Sequence, residues 1–460
     1  MAAAAAAELV SVPDPARPLF IAALNRLTGR RPILVAAPTA AEAERIAGDL
    51  IPLLGAEAVE LFPAWETLPF ERVSPNLETM GRRLRVMWRL RTDDETLSVI
   101  VAPVRALVQR LGPHVEDVEP IILSAGEQID RDALVQSLVE AGYRREYQVE
   151  ARGEVAVRGS IVDVYPSTAD HPVRIDLWGD EVERLSGFSV TDQRSTRDLE
   201  TVTIFPAREL LPTPEVRERA RLLISEAPWG REQWERLSEG QTFDGMESWL
   251  PWLSGDDHLL TDLLPARSQV LLLEPRRLRD RAGDLLADED ALAGVLAGTW
   301  GAEPDALARL TLNFDRLLSN SKAMVTNILG SPDRPETLHF AASAFDPVVG
   351  DSEALADRVR QLRNSGVRVV VAAEGPVSAR RLSEVLTNES IDAPYLEVPL
   401  VTAGAVSVVV APIERGVVSV ASGIALIAEA DLSGRRRVHR KARGARRAAD
   451  YYDDLKVGDY

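Results

Sequence analysis

Cysteine is absent from this sequence of 460 residues. Its absence excludes disulfide bonds, zinc sites built on cysteine and catalysis by a thiol, and it fits a cytosolic protein. Histidine is scarce and no HExxH pattern occurs, so we expect no metal site. The five histidines are scattered along the chain, at His114, His171, His258, His339 and His439.

Phosphate-binding loops are missing as well. No GxxxxGK[ST] pattern occurs anywhere, lysine is rare, and no lysine follows a glycine loop. A P-loop needs glycines for close approach of the backbone and a lysine for the phosphate charge. Gly375 follows a predicted strand without a GxGxxG pattern, so dinucleotide binding is not indicated either. We therefore predict that this chain holds no cofactor.

Long apolar runs and positive charge are also scarce. No window approaches a transmembrane span, and the alanine run at the start lacks the basic and apolar regions of a signal peptide. The net charge of −18 argues against a chain that mainly coats nucleic acid. The length suits about three domains, and 45% hydrophobic with 27% charged residues is typical of globular protein. We expect a cytoplasmic protein without a membrane partner.

Strands alternate with helices in the first segment, residues 1–118. Thr39 precedes one of these helices, with Glu42 at the capping-box spacing. The alternation predicts an α/β lobe, a parallel sheet with helices on both faces. The predicted strands are residues 32–38, 59–62 and 98–102, and the predicted helices are residues 18–27, 40–50, 77–90 and 104–111.

The predicted helix at residues 77–90 carries several arginines beside an apolar side formed by Met80, Leu84, Met87 and Trp88. We expect this helix to pack on the sheet through its apolar side. Its arginines are expected to stay solvated.

Residues 119–207 follow a different pattern, in which one helix and several antiparallel strands indicate a small α+β insert. From Glu154 to Leu185, apolar residues alternate with polar ones, as in half-buried strands. Residues 178–181 are typical of a tight turn, with Gly179 as its permissive residue. The insert is therefore predicted to contain an antiparallel meander.

Three side chains of this meander are candidates for a partner-facing set: Arg158, Arg174 and Trp178. By default, an arginine on a solvated sheet face pairs with a nearby carboxylate, and such a pair contributes little to stability. The expected local partners are Asp176 and Glu154. Taken alone, the residues favour this default interpretation.

The α/β pattern returns after the insert. Residues 208–335 are predicted to complete the first lobe, and residues 345–430 to form a separate small α/β domain. Residues 431–460 hold a basic cluster, which is typical of a solvated linker. The last residues, LKVGDY, look like the start of a strand, so we expect the chain to be part of a longer protein.

Several phrases, taken in order along the chain, resemble those of a known family. With them, the chain resembles the N-terminal part of the bacterial transcription-repair coupling factors (Mfd), whose first blocks are similar to the excision repair protein UvrB. The phrases are Phe62 to Phe70, Ser74-Pro75, Arg83-Leu84, Gly153-Glu154 with Arg158-Gly159 and Asp163, Arg174 with Asp180-Glu181, Phe243 to Glu247, and Glu429 to Gly434.

The resemblance implies a UvrB-like helicase lobe that has lost its nucleotide site and is interrupted by a UvrA-binding domain at residues 119–207. It implies a fragment that recruits UvrA to stalled transcription complexes for nucleotide excision repair, without ATPase activity of its own. In the family, contact with RNA polymerase and movement on DNA driven by ATP and magnesium belong to modules that follow. A far C-terminal domain masks the UvrA surface there, so a chain without it is expected to expose the surface constantly.

By motif position, the resemblance implies that Arg158, Arg174 and Trp178 dock UvrA. The family often has phenylalanine at the last of these positions, and tryptophan preserves a large apolar contact. Two alternatives stand beside this interpretation. The degenerate lobe could bind ATP, or duplex DNA could bind weakly to the basic cluster and to the arginines of the 77–90 helix, Arg82, Arg83 and Arg85.

Overall fold

The structure is a computed structural model that describes residues 8–113, 115–254, 257–303 and 306–434, without the side chains of residues 116 and 300. Two compact units divide at Ser343 and Ala344, and each is described by itself. His114, His439 and, from residue 435 onward, the predicted basic linker lie outside the described residues.

The strands and helices have the following bounds. The strands are β1 (Glu8–Ser11), β2 (Ile33–Ala37), β3 (Val59–Leu61), β4 (Val99–Pro103), β5 (Ile121–Ser124), β6 (Arg144–Arg145), β7 (Glu154–Arg158), β8 (Ile161–Val164), β9 (Val173–Trp178), β10 (Glu181–Phe188), β11 (Ser195–Leu199), β12 (Thr201–Ile204), β13 (Gln269–Leu273), β14 (Met324–Leu329), β15 (Leu338–His339), β16 (Ser343–Ala344), β17 (Arg368–Ala373), β18 (Val406–Val410), β19 (Val417–Ser419) and β20 (Ile424–Ala428). The helices are α1 (Arg17–Thr28), α2 (Ala40–Leu54), α3 (Leu77–Arg91), α4 (Val104–Leu107), α5 (Arg131–Glu140), α6 (Pro214–Glu226), α7 (Arg231–Ser238), α8 (Leu250–Leu253), α9 (Pro275–Trp300), α10 (Ser352–Asn364), α11 (Pro376–Asn388) and α12 (Glu429–Ser433).

A parallel sheet forms the centre of the first unit, in the order β15-β1-β14-β13-β2-β4-β3. Leu34 and Ala36 of β2 pack into a core with α3, α4 and α9. Successive residues of a strand point to opposite faces, so Ile33 and Val35 face the other layer, where α2 packs against β2 and β4. The predicted α/β lobe with helices on both faces is confirmed.

The ends of two helices show how local and distant interactions compete. The Thr39 hydroxyl accepts the backbone N–H of Glu42 at 3.2 Å, which caps α2 as the sequence predicts. In contrast, α4 ends at Leu107 instead of continuing to residue 111. Gln109 forms a β-bridge with Thr311, so a distant strand-like pairing replaces the last predicted helical turn.

The insert contains the predicted antiparallel meander, which is confirmed as β7 to β10. Its six-stranded sheet has the order β11-β10-β9-β8-β7-β6. Gly179 has a φ of +62° in the tight turn between β9 and β10. The two ends of the insert pair with each other as β5 and β12, from Ile121 opposite Ile204 to Ser124 opposite Thr201.

The expectation that the arginines of α3 stay solvated is wrong for two of them. Arg83 is fully buried, with Nε 2.6 Å from Oε1 of Glu209 and the guanidinium 4.2 Å above the ring centre of Phe62. Arg89 is also buried and donates to Glu60. Glu209 and Glu60 lie outside α3 in the chain, so periodicity within the helix could not reveal them as partners.

Glu209 is the partner that makes the burial of Arg83 tolerable. It follows the insert directly and also accepts the indole N–H of Trp65 at 3.0 Å. Burial raises the pKa of Glu209, whereas the charge of Arg83 and the hydrogen bonds from Trp65 and Arg83 lower it. This pair joins α3, the 62–70 phrase and the exit of the insert.

The second unit is a five-stranded sheet in the order β16-β19-β20-β17-β18. β17 is parallel to β18 and β20, and β19 is antiparallel to β20. The helices α10 and α11 share its apolar core. The Asp351 side chain caps α10 by accepting the N–H of Ala354 at 2.9 Å.

We predict that Arg83→Met lowers the free energy of unfolding by about 3 kcal/mol or more, because it leaves the Glu209 carboxylate buried without its cation. Arg82→Met is the matched control: Arg82 lies on the same helix, is 41% exposed and pairs with Glu78, and we expect an effect within about 0.5 kcal/mol. Urea unfolding of both variants gives the comparison. Equal stability of the two variants would contradict the role of the buried pair.

Candidate docking face

A small buried hydrogen-bond network closes the base of the insert, where the insert lies against helix α3 of the lobe. The Tyr143 hydroxyl donates to the carbonyl of Phe205 at 2.7 Å and accepts the N–H of Ser167 at 3.1 Å. Gly81 of α3 lies against Ser167 so closely that a Cβ there would be 2.4 Å from Oγ of Ser167. Because α3 and the insert touch at this glycine, the insert has a defined position on the lobe.

The meander has one apolar face and one polar face. On the inner face, Val162, Ile175 and Leu177 pack with Leu134 and Leu138 of α5 into the core of the insert. Residues between them point the other way. We call this opposite side the outer face; it carries Arg158, Ile161, Asp163, Arg174, Asp176 and Trp178.

Asp163 lies at the centre of the outer face. Its Oδ1 accepts Nε of Arg174 at 2.7 Å, and its Oδ2 accepts Nη2 of Arg174 at 2.9 Å, which is a bidentate contact. The same Oδ2 accepts Nη2 of Arg158 at 2.9 Å. Asp163 stands opposite Arg174 in the strand pairing, and opposite Ala156 on its other side, so Arg158 reaches it diagonally. One carboxylate thus holds two guanidiniums.

The three predicted residues differ strongly in exposure. Trp178 is 77% exposed, the side chain of Arg158 is 42% exposed, and that of Arg174 only 12%. The structure brings Arg158 and Arg174 together on Asp163. Trp178 lies four residues beyond Arg174 on β9, a distance of about 13 Å along a strand, next to the turn.

The local partners of these arginines are not the ones expected from the sequence. Asp163 takes the place of both Asp176 and Glu154. Glu154 instead accepts the backbone N–H groups of Glu150 and Ala151 at 2.8 and 2.9 Å, and so shapes the loop before β7. The expectation of Asp176 and Glu154 as partners was therefore wrong, because strand register, not closeness in sequence, brings Asp163 next to Arg174.

Two loops cover part of the outer face and bury Arg174. The Gln193 carbonyl accepts Nη1 of Arg174 at 3.1 Å, while the Gln193 side chain donates to the carbonyl of Val149 at 3.3 Å. The guanidinium of Arg174 also lies 4.8 Å from the ring centre of Phe188. Its hydrogen bond with Asp163 is the largest cause that raises the pKa of Arg174, with burial acting in the opposite direction.

Sequence reasoning missed Asp163 and Gln193 as members of this face. Asp163 had a signal, since it stands in the phrase with Arg158-Gly159 and is a polar residue between the buried Val162 and Val164. Gln193 had none, because its contribution is a backbone carbonyl in a loop, with φ of +59°.

The first lobe carries ion pairs where a nucleotide would sit in a related sheet, beyond the carboxyl ends of its strands. Glu274, directly after β13, accepts a hydrogen bond from Arg17. Glu42, in the first turn of α2, pairs with Arg277 at 3.0 Å. These contacts give no support to the ATP-binding alternative.

The arginines proposed for the DNA alternative are engaged with carboxylates inside the chain. Arg82 pairs with Glu78, Arg83 with Glu209, and Arg85 with Glu60 at 2.7 Å. The basic cluster that completes this alternative lies outside the described residues.

The described residues form neither a metal-binding cluster nor a membrane-spanning helix. Across residues 8–434, apart from the undescribed positions, no group of three or more His, Asp or Glu side chains is arranged to hold a metal ion. Within the same part of the chain, the helices are all too short or too polar to cross a bilayer.

Comparison with known proteins connects this face to a family. Residues 121–210 match the family described as the UvrB interaction domain. The transcription-repair-coupling factor of Mycobacterium bovis is 34% identical over 92% of this chain and 37% of its own length. Those of Bacillus subtilis and Escherichia coli are each 28% identical, over 98% and 90% of this chain and 40% and 37% of their own lengths.

The insert that carries the outer face thus matches the UvrB interaction domain over nearly its whole length. The chain around it is related to the transcription-repair-coupling factors over nearly its whole length, so the resemblance predicted from the sequence phrases is confirmed. The chain spans less than half of the length of these relatives.

The buried hydroxyl of Tyr143 predicts that the stability of the protein depends on pH in the alkaline range. Burial raises the pKa of Tyr143 to about 12 from 10.0. The folded protein therefore keeps this proton where the unfolded chain loses it, and stability must fall as the pH rises from 10 to 12. At pH 11 this contribution amounts to a loss of about 1.4 kcal/mol.

Tyr143→Phe removes this titration together with the hydrogen bond to Phe205. We expect the variant to be less stable than the wild type at pH 8. The difference between their free energies of unfolding should become smaller by about 1.4 kcal/mol at pH 11. Urea unfolding at the two pH values measures it. A gap that stays constant would contradict the role of Tyr143.

Proposed function

We propose that this chain recruits UvrA through the outer face of its insert, and that it links stalled transcription to nucleotide excision repair without catalysing a reaction itself. The observation that carries this proposal is an exposed tryptophan and a half-exposed arginine on a face of a UvrB interaction domain. Tryptophan and arginine are enriched among the residues that dominate binding energy at protein interfaces.

The domain division supports this role. We propose that residues 1–118 and 208–335 form the UvrB-like lobe that presents the 119–207 UvrA-binding domain, that residues 345–430 form a small α/β domain of unassigned role, and that residues 431–460 lead toward a polymerase-binding module. RNA polymerase and DNA would be partners of further modules of the whole protein, in the cytoplasm. ATP and magnesium would act in its motor.

The chemistry of the outer face fits recognition. Arg158 presents a charged fork that matches a carboxylate of the partner. Trp178, beside the turn at Gly179, offers a large apolar surface that a partner can cover. Together they provide one charged and one apolar anchor on a single face.

Arg158→Ala and Trp178→Ala are each expected to weaken binding of this chain to UvrA by about tenfold or more, because each removes an anchor that becomes buried in the complex. Titration by calorimetry or surface plasmon resonance measures the dissociation constants. Arg221→Ala is the charge-matched control, since Arg221 is an exposed residue of α6 paired with Glu218. Equal binding by all variants would contradict the site, and no binding by the wild type would contradict the proposed function.

A further inference from the structure

Asp163 has no role assigned by the family match or the resemblance, yet it is the most buried charged residue of the outer face. We propose that Asp163 is the positioning residue of the docking face: its carboxylate orients Arg158 for the partner and holds Arg174 beneath it as a support. This inference rests on the proposed function. It divides the three predicted residues into two that contact UvrA and one that acts through Asp163.

The carboxylate of Asp163 contacts both arginines at the same time. Its Oδ2 is 2.9 Å from Nη2 of both Arg158 and Arg174, and its Oδ1 is 2.7 Å from Nε of Arg174. The Asp163 side chain is only 2% exposed, so solvent screens these contacts little. Both carboxylate oxygens are therefore used within the cluster, and the Asp163 side chain is not itself a contact for a partner.

The contact with Asp163 also orders the side chain of Arg158. A free arginine on a sheet face samples many rotamers, and binding must stop that motion. The hydrogen bond to Asp163 already restricts the guanidinium while 42% of the side chain remains exposed. Because preorganisation lowers the cost of ordering at an interface, it increases affinity mainly by slowing dissociation.

The cluster of Arg158, Asp163 and Arg174 carries a net positive charge. Two guanidiniums share one carboxylate, so the cluster keeps one positive charge. That charge is accessible at Arg158, because Arg174 is 12% exposed and also donates to the carbonyl of Gln193. Asp176 lies on the same face, and its charge also acts on Arg174. The cluster thus suits a partner that places a carboxylate against Arg158 and apolar surface against Trp178.

Arg174 has the features of a support. Its planar fork binds both oxygens of Asp163, and its other side faces the ring of Phe188. Lysine at this position would keep the charge but could not hold both oxygens. Loss of the fork would loosen Asp163, and through it Arg158.

The test is a double-mutant cycle on binding to UvrA, with wild type, Asp163→Asn, Arg158→Ala and the double variant. Asparagine keeps the shape and loses the charge. We expect Asp163→Asn to weaken binding about tenfold, mostly through faster dissociation. If Asp163 acts through Arg158, the double variant should bind about as weakly as Arg158→Ala alone, because nothing remains to be positioned. Circular dichroism and urea unfolding confirm that each variant is folded at the binding temperature.

The outcomes separate the two proposals. A wild type that does not bind UvrA overturns the proposed function. If the wild type binds UvrA and Asp163→Asn binds equally well, the positioning role alone is overturned. The same holds if the losses of binding free energy of the two single variants simply add in the double variant, as a general structural defect would give. If Asp163→Asn does not fold, Arg174→Lys takes its place in the same cycle, and the same non-additive result is expected.

Discussion

A guanidinium removed from water requires a carboxylate beside it, because an unmatched buried charge costs several kcal/mol. Two of the places where the first unit meets this requirement are the pair of Arg83 with Glu209 and the pair of Arg174 with Asp163. In a chain with 71 acidic and 53 basic residues, acids are available for such pairing. The first pair joins α3 to the exit of the insert, and the second orders the face that the insert presents. Position and presentation of the docking face thus depend on the same type of contact.

The insert gains a fixed orientation from contacts at its base. Within the insert, β5 and β12 pair at its two ends and Tyr143 joins Ser167 to the carbonyl of Phe205, and Gly81 of α3 lies against Ser167 from the lobe. The meander packs its inner side on α5, which leaves the outer face supported from below. Binding residues placed on strands of a packed sheet keep their geometry better than residues on loops. The strands that carry the outer face are therefore packed from the inner side, which gives the proposed docking residues a rigid support.

The pattern of apolar residues predicted the strands and helices of this chain well, but it did not predict which distant residues pair with one another. Buried strands such as β2 and β4, the Thr39 cap and the meander follow from local periodicity and turn residues. Two features depended on distant segments and could not be predicted. The end of α4 is set by pairing with Thr311, and Asp163 meets Arg174 only because of the register between β8 and β9. Register depends on the whole sheet and its loops.

The same register explains why the outer face suits recognition better than chemistry. A general base needs an oxygen that can accept a proton from a bound substrate. At Asp163 both oxygens accept hydrogen bonds from guanidiniums, and arginine does not deprotonate in proteins. The cluster instead holds the Arg158 guanidinium at a fixed place on the same face as the exposed Trp178, an arrangement that suits the proposed recognition of a protein surface.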